Sequence, residues 1–273
     1  MKNKILLLFT LLQVSFASFG QDNSPYKTNL KVDLPVTIAG VGLSGLGVYF
    51  ISQKESIPEA QALTLSRSKN DINSFDRFSA GYYSESAKKT SDIPFYGSFV
   101  APLALLLDKD VYQNAPQVFL LYAETMSVTG TLFAMTAGLV DRKRPMVYGT
   151  EAPLKDRTSK NARNAFFAGH PAATASATFF LAKVFHDFNP DSPARPFVWG
   201  AAAAVPATVG YLRLKAGKHF LSDVITGYSI GTAVGILVPH LHKKGNASGF
   251  SVTPVVMPVM DEISNGMALS YKF

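Results

Sequence analysis

The sequence predicts an all-α fold: a bundle of about six apolar helices, embedded in a membrane and followed by a short C-terminal β-hairpin. Apolar residues make up 47% of the 273-residue chain and charged residues only 16%, against about a quarter in soluble domains. This composition excludes a disordered chain and favours a membrane protein. The apolar segments recur without a linker between them, which predicts one helical domain at residues 21–246. The chain has no cysteine, which excludes disulfides, thiolate metal sites and cysteine nucleophiles.

The first predicted element is a signal peptide at residues 1–20. Lys2 and Lys4 precede an apolar run at residues 5–16, and small residues lead to Gly20. This order is typical of an export signal that is cleaved near Gly20. An uncleaved membrane helix is the alternative, although the apolar run is short for a span.

Six apolar segments then predict the helices of the bundle: residues 34–52, 95–107, 118–140, 165–185, 196–212 and 220–241. The first contains four glycines (Gly40, Gly42, Gly45 and Gly47), small residues that allow helices to approach closely. Between the first two segments, residues 70–78 predict an amphipathic, interfacial helix. The second segment is short and the fourth carries His170 and Lys183, so we expect some segments to pack against protein rather than lipid.

The tail, residues 247–273, alternates with a period of two, and Asn265-Gly266 predicts the turn of a hairpin.

The charge pattern favours an anionic substrate. Lys and Arg number 26 against 19 Asp and Glu, a net charge of +7. The cations lie in short loops rather than in a patch interleaved with aromatic residues, which is not the pattern of a nucleic-acid-binding protein.

Three segments place arginine and histidine beside helix ends: residues 141–145, 166–171 and 213–223. Taken alone, a basic cluster at a helix end is usually a solvated cap, and a lone histidine is usually structural. His219 and Asp223 are four residues apart, so we expect them on one face of a helix, where the carboxylate orients the imidazole.

Together the three segments resemble the motifs of the type-2 phosphatidic acid phosphatase superfamily, which includes bacterial acid phosphatases and vanadium haloperoxidases. The family pattern is Lys-x6-Arg-Pro, then Pro-Ser-Gly-His, then Ser-Arg-x5-His-x3-Asp. The matching residues are Arg144, Pro145, Gly169, His170, Arg213, His219 and Asp223. The family's lysine falls on Ala137, its Pro-Ser on Phe167 and Ala168, and the serine before the arginine on Leu212.

The resemblance implies a metal-free and cofactor-free hydrolysis of a phosphate monoester or diphosphate. His219 is the implied nucleophile that forms a phosphohistidine, Asp223 its orienting acid, and His170 the acid for the leaving group. The implied phosphate-binding residues are Arg144, Arg213 and Gly169, with Arg142 as a substitute for the missing lysine. The five histidines show no local metal-ligand spacing, and His240 and His242 are interpreted as a helix end.

Three functions remain open at this point. The first is a membrane enzyme acting on an anionic lipid phosphate, with its site facing the periplasm. The second is a soluble periplasmic phosphatase of broad range, and the third is a non-catalytic envelope protein that kept the fold. The sequence predicts neither the lipid head group nor the oligomeric state.

The number of predicted spans before Arg144 conflicts with a site that faces the periplasm. A cleaved signal peptide and three spans before Arg144 would place the site in the cytoplasm. We therefore expect either that residues 95–107 do not form a simple span or that the signal peptide is not cleaved.

Overall fold

The computed structural model describes residues 23–245, 251–259 and 262–270, so the predicted signal peptide lies outside the described residues. Within them the chain forms ten α-helices: Leu30–Gln53 (α1), Glu59–Leu65 (α2), Ser74–Arg77 (α3), Glu85–Val100 (α4), Lys109–Gln113 (α5), Ala115–Leu139 (α6), Leu154–Thr158 (α7), Gly169–Phe188 (α8), Arg195–Lys215 (α9) and Leu221–Leu241 (α10). The same residues contain four 3₁₀ helices: Lys69–Asp71, Ala101–Leu107, Pro145–Tyr148 and Lys160–Arg163.

The predicted helical bundle is confirmed, and each of the six apolar segments contributes a helix. Among the described residues, five helical segments are long and apolar enough to cross a membrane: Leu30–Gln53, Glu85–Leu107, Ala115–Leu139, Arg195–Lys215 and Leu221–Leu241. The outward face of α1 is lined with exposed apolar side chains such as Ile38, Val41 and Val48. These features place the protein in a membrane.

The expectation that residues 95–107 fail to span is not met. Helix α4 begins earlier than predicted, at Glu85, and continues directly into the 3₁₀ helix that ends at Leu107. Together they form a segment of 23 residues. Residues 85–94 are polar, so the apolar pattern alone shows only the second half of this segment.

Helix α8 lies at the centre of the bundle, where it packs against α4, α6, α9 and α10. Most of its residues are buried, and its Lys183 pairs with Asp187 one turn further on. The expectation that the fourth segment packs against protein rather than lipid is thus confirmed.

Close helix approach depends on glycines in two places. In α1, Gly40 lies against Ser127 and Gly47 lies against the backbone of Ala134 in α6. Helix α10 also packs its glycines against the backbone of α8, pairing Gly227 with Ala168, Gly231 with Ala172 and Gly235 with Ser176. Small residues at this spacing let two backbones meet, and the second contact brings the first turns of α8 and α10 together.

Two local predictions are wrong. Residues 70–78 do not form an amphipathic helix but a 3₁₀ turn and the four-residue α3, because the side chain of Asp76 is fully buried.

The second wrong prediction concerns the tail, where β1 (Ser251–Val259) pairs antiparallel with β2 (Glu262–Ser270). Asn265 and Gly266 lie inside β2 rather than at the turn, because the register already pairs Val259 with Glu262.

The long connections gather at one end of the bundle, here called the loop end, which comprises residues 54–84, 140–168 and 216–220. Backbone hydrogen bonds join them: Gly81 N donates to Pro145 O at 2.8 Å, and Met146 N donates to Gly217 O at 3.1 Å. At the opposite end the chain enters α1 and leaves α10, where Lys27 N donates to His242 O at 2.7 Å.

The α1 glycines provide a matched test of this packing. Replacing Gly47 by leucine puts a side chain into the backbone of α6, whereas Gly45 has nothing near it. We expect Gly47→Leu to lose about 1–3 kcal/mol of stability and Gly45→Leu to lose little. Thermal unfolding in detergent measures the difference, and equal midpoints for the two variants would contradict the contact.

Candidate active site

Five basic side chains converge at the loop end: Arg144, His170, Arg213, Lys218 and His219, here called the cationic cluster. Arg144, Arg213, Lys218 and His219 are each less than 8% exposed, and the side chain of His170 is 28% exposed. They come from the segment after α6, the start of α8, the end of α9 and the loop before α10.

Arg144 is held by the loop that follows α7. Its backbone N–H donates to Ala162 O at 2.8 Å, and its Nη2 donates to Asn161 Oδ1 at 3.0 Å. Its Nε is buried without a hydrogen-bond partner. Burial and the nearby Arg213 lower the pKa of Arg144 to about 9. A buried guanidinium with unused donors is suited to an anion.

His219 stands in the loop between α9 and α10. The loop turns at Gly217, whose φ of +67° and close contact with the Tyr82 carbonyl exclude a side chain. The ring of His219 is 2% exposed, and its Nδ1 lies 2.6 Å from the carbonyl oxygen of Ala165. That contact requires a proton on Nδ1, which leaves a lone pair on Nε2.

The expected contact between Asp223 and the His219 ring is replaced by the Ala165 carbonyl. The prediction is wrong because α10 begins at Leu221, so His219 precedes the helix and the spacing of four does not place it on a helical face. Asp223 instead caps its own helix and accepts from Phe220 N at 2.7 Å.

The surroundings of His219 keep its ring neutral. Burial, followed by the charges of Arg144 and Arg213, holds the pKa of His219 well below its usual value of 6.5. At neutral pH the side chain is therefore an unprotonated imidazole, the form that acts as a nucleophile or a base.

Arg142 lies outside the cationic cluster and is already paired with carboxylates, so the structure does not support its predicted role in binding phosphate. Its guanidinium pairs with Asp223 and, at 2.7 Å, with Asp76. The side chains of Asp76 and Asp223 are 1% and 0% exposed. Because two buried carboxylates already engage this cation, it has a structural position.

Asp76 gathers several donors besides Arg142. Ser222 donates its N–H at 2.9 Å and its hydroxyl at 2.6 Å, and Asn73 Nδ2 donates at 3.0 Å. Burial raises the pKa of Asp76, but these hydrogen bonds together lower it below its usual value. The carboxylate is therefore ionised, and it ties α3 to the start of α10.

Helix α4 contributes a residue that sequence reasoning missed. Asp92 Oδ1 lies 3.7 Å from His170 Nε2 and 3.7 Å from Arg213 Nη1. The His170 ring stacks on Phe95 with centroids 4.0 Å apart. No motif contains Asp92, and its only sequence signal is an acidic residue one turn before an apolar run.

Comparison with known proteins identifies the segment that carries this cluster. Residues 118–247 match the model of the PAP2 superfamily. These residues belong to the PAP2 superfamily. A transmembrane PAP2-type phosphatidylglycerolphosphate phosphatase from Bacillus subtilis aligns with 79% of this chain and 98% of its own, at 17% identity and a TM-score of 0.43. No curated protein sequence matches the chain.

At the positions where the chain departs from the PAP2 motifs, the structure has apolar packing. Ala137 is fully buried, and its carbonyl accepts from Lys54 Nζ at 2.6 Å. Phe167 packs edge-on against Phe133 with centroids 5.9 Å apart. Gly169 faces the same Phe133 ring, which a side chain at this position would strike.

Lys218 is a second residue that sequence reasoning missed, and it brings an ammonium into the cluster that lacks the PAP2 lysine. Its Nζ lies 3.5 Å from Met146 Sδ, a weak acceptor. Burial, followed by the charge of Arg144, lowers the pKa of Lys218 to about 8. A buried ammonium beside two guanidinium groups requires an anion to offset the repulsion.

Methionine substitutions distinguish a cation that is available to bind phosphate, Lys218, from a cation that is paired with buried carboxylates, Arg142. We expect Lys218→Met to weaken the binding of inorganic phosphate by about tenfold or more, since a charge-assisted hydrogen bond contributes about 1.5–3 kcal/mol. Phosphate binding by the unsubstituted protein should weaken as the pH rises through 8, where Lys218 loses its proton, and Lys218→Met should lack this step. Calorimetric titration across the pH range measures both effects.

Arg142→Met is the comparison variant. It leaves two buried carboxylates without their cation, so we expect a loss of about 3–5 kcal/mol in stability, measured by thermal unfolding. If Arg142→Met has normal stability but no longer binds phosphate, Arg142 is a phosphate-binding residue.

Proposed function

We propose that this protein is a phosphatase that hydrolyses a phosphate monoester or diphosphate on a membrane lipid, through a phosphohistidine at His219 and without a metal at the reacting phosphate. The observation that carries the proposal is the cationic cluster: three buried cations beside two imidazoles, within a segment of the PAP2 superfamily. Clustered buried cations bind an anion, and a neutral imidazole beside them can attack it.

The proposed reaction gives each of the two histidines one chemical role. Arg144, Arg213 and Lys218 hold the phosphate oxygens and offset the charge that develops in the transition state. Nε2 of His219 forms a bond to phosphorus while the bond from phosphorus to the ester oxygen breaks. His170 gives a proton to the departing oxygen.

The second half of the reaction regenerates the enzyme. His170, now neutral, takes a proton from water as the water oxygen bonds to phosphorus and the bond to His219 breaks. Asp92, 3.7 Å from His170 Nε2, favours the protonated form of the ring. Burial and the charges of Arg213 and Arg144 lower the pKa of His170 to about 3, so its role as an acid requires a bound phosphate to offset those two cations. The Ala165 carbonyl keeps the proton on Nδ1 of His219.

The surroundings of the cluster favour a lipid as substrate. The least buried member of the cluster is His170, whose side chain is 28% exposed, and the side chain of the neighbouring Asp92 is 35% exposed. Beside Asp92 on α4, Ile93 and Tyr96 are 75% and 67% exposed. The cluster is therefore reached next to apolar side chains at the end of membrane-spanning helices, where a lipid presents its phosphate.

The orientation in the membrane is the second part of the proposal. We place the loop end, and the cationic cluster with it, on the periplasmic side. Within residues 23–143, which the structure describes, three candidate spans precede Arg144, so residue 23 and the basic pair Lys243-Lys244 then lie on the cytoplasmic side. Cleavage near Gly20 in the periplasm is incompatible with this arrangement. The proposal therefore requires the N-terminal segment to remain attached and residue 23 to stay on the cytoplasmic side.

The catalytic proposal is tested by phosphate release from a panel of lipid phosphates in detergent, with EDTA present. We expect release by the unsubstituted protein and its loss, by at least about a thousandfold, in His219→Ala, because a covalent step cannot proceed without its nucleophile. The control is His186→Ala, which changes a histidine outside the cluster.

Each other outcome selects a different function. Release that EDTA abolishes in a folded protein would overturn the metal-free mechanism. A preference for soluble esters would favour the broad-range phosphatase, and no release from any ester would favour a non-catalytic protein.

The absence of cysteine makes orientation directly measurable. Thr150 lies exposed at the loop end and Asp191 lies exposed at the opposite end. We expect a membrane-impermeant maleimide to label Thr150→Cys in cells with a permeabilised outer membrane, and to label Asp191→Cys only after lysis. The reverse pattern would place the active site in the cytoplasm and agree with a cleaved signal peptide.

A further inference from the structure

A second cluster of ionisable residues lies at the opposite end of the bundle. Asp33 comes from the first turn of α1, Glu124 from α6, and His242 from the C-terminal cap of α10. Their nearest carboxylate oxygens and imidazole nitrogen all lie within 4.8 Å of one another. We propose that these three residues bind a divalent transition-metal ion, for which Zn²⁺ is the representative probe.

The distances within the cluster suit ligands of one metal ion better than hydrogen bonds. His242 Nε2 lies 3.5 Å from Asp33 Oδ1 and 3.6 Å from Glu124 Oε2. A hydrogen bond between an imidazolium and a carboxylate would be about 2.7–2.9 Å. Ligands bonded to one zinc ion at about 2.0–2.2 Å in tetrahedral geometry lie about 3.3–3.6 Å apart.

The ring of His242 is oriented as a metal ligand. Its Nδ1 lies 2.8 Å from the carbonyl oxygen of Val238, so this nitrogen carries the proton. Nε2 then faces two carboxylates, and either a proton or a metal cation between them would offset their charge. A second contact of the same kind fixes Asp33, whose Oδ2 accepts from Asn29 N at 2.6 Å. Hydrogen bonds that orient the ligands in this way are typical of metal sites.

Burial supplies an independent observation. Glu124 is 9% exposed, and its Oε2 is buried without a hydrogen-bond partner. Asp33 is 5% exposed. Two buried carboxylates beside a bilayer are unfavourable unless their charge is offset, and a divalent cation offsets both.

The proposed site joins the first turn of α1, the first half of α6 and the C-terminal cap of α10. It lies at the opposite end of the bundle from the cationic cluster and does not rest on the proposed phosphatase activity. One imidazole nitrogen and two carboxylate oxygens are ligand types that zinc accepts, and with three protein ligands a water can occupy the fourth position. Its expected role is to fasten α1 to the bundle.

The test uses the full-length protein, purified in detergent without a polyhistidine tag. We expect about one bound metal ion per chain by mass spectrometry. After chelation, Zn²⁺ should rebind in calorimetry and raise the unfolding temperature. Glu124→Gln and His242→Gln should each weaken Zn²⁺ binding by at least about tenfold, whereas His186→Gln, which changes a histidine that contacts Trp199, should bind as the unsubstituted protein does.

Two results would overturn the proposal. One is that folded, unsubstituted protein binds no Zn²⁺, Mn²⁺ or Fe²⁺; the cluster would then hold a proton instead. The other is that Glu124→Gln and Asp33→Asn both keep full affinity while eluting as folded protein. Phosphate release below the unfolding temperature should survive chelation, so failure of the metal site and failure of the phosphatase proposal give different readouts.

Discussion

The arrangement of the loop end depends on one guanidinium held between two buried carboxylates. Arg142 pairs with Asp76 from α3 and with Asp223 from the first turn of α10. The planar fork of an arginine can donate to both acids at once, which a lysine ammonium does with less definition. Ser222 also donates to Asp76 through its N–H and its hydroxyl. Three separated segments of the chain therefore meet at a single point, and removing the cation would leave both acids buried and unpaired.

The positions of the two imidazoles follow from this point through the backbone. Ala165 N donates to Arg142 O at 2.9 Å, and the Ala165 carbonyl contacts His219 Nδ1 at 2.6 Å. Ala168 N donates to Asp223 O at 3.0 Å, which fixes the residue before the helix that carries His170. A residue placed outside the cationic cluster thus sets the location of both histidines. Positioning through backbone groups is rigid, because each donor and acceptor is already engaged before any ligand arrives.

How far the sequence could predict this structure depends on the range of the interaction. The helices were predictable because a long apolar run fits few structures other than a buried or membrane helix. The motif residues were predictable because the family motifs have a fixed order and spacing along the chain. The hydrogen-bond partner of His219 was not predictable from the sequence. Residues four apart share a face only inside a helix, and α10 begins at Leu221, after His219. Arg142 was assigned to phosphate because a positive charge does not reveal its partner, and Asp76 lies 66 residues away in the chain. The three-helix cluster at the opposite end escaped for the same reason, as its members are brought together only by packing.

The replacement of the PAP2 lysine changes the character of the site as well as its shape. The missing ammonium would have come from α6, where Ala137 is packed and buried, whereas Lys218 approaches from the loop before α10. In the proposed mechanism, Arg213 and Lys218 from one short segment and Arg144 from another would hold the phosphate. Mutual repulsion among buried cations opposes folding, and in the proposed function a bound anion would offset it. The pKa of Arg144 is lowered less far, to about 9, so Lys218 is the first of these two cations to lose its charge as the pH rises. Because the pKa of Lys218 is about 8, the charge of this site and its hold on an anion decline on the alkaline side of neutrality.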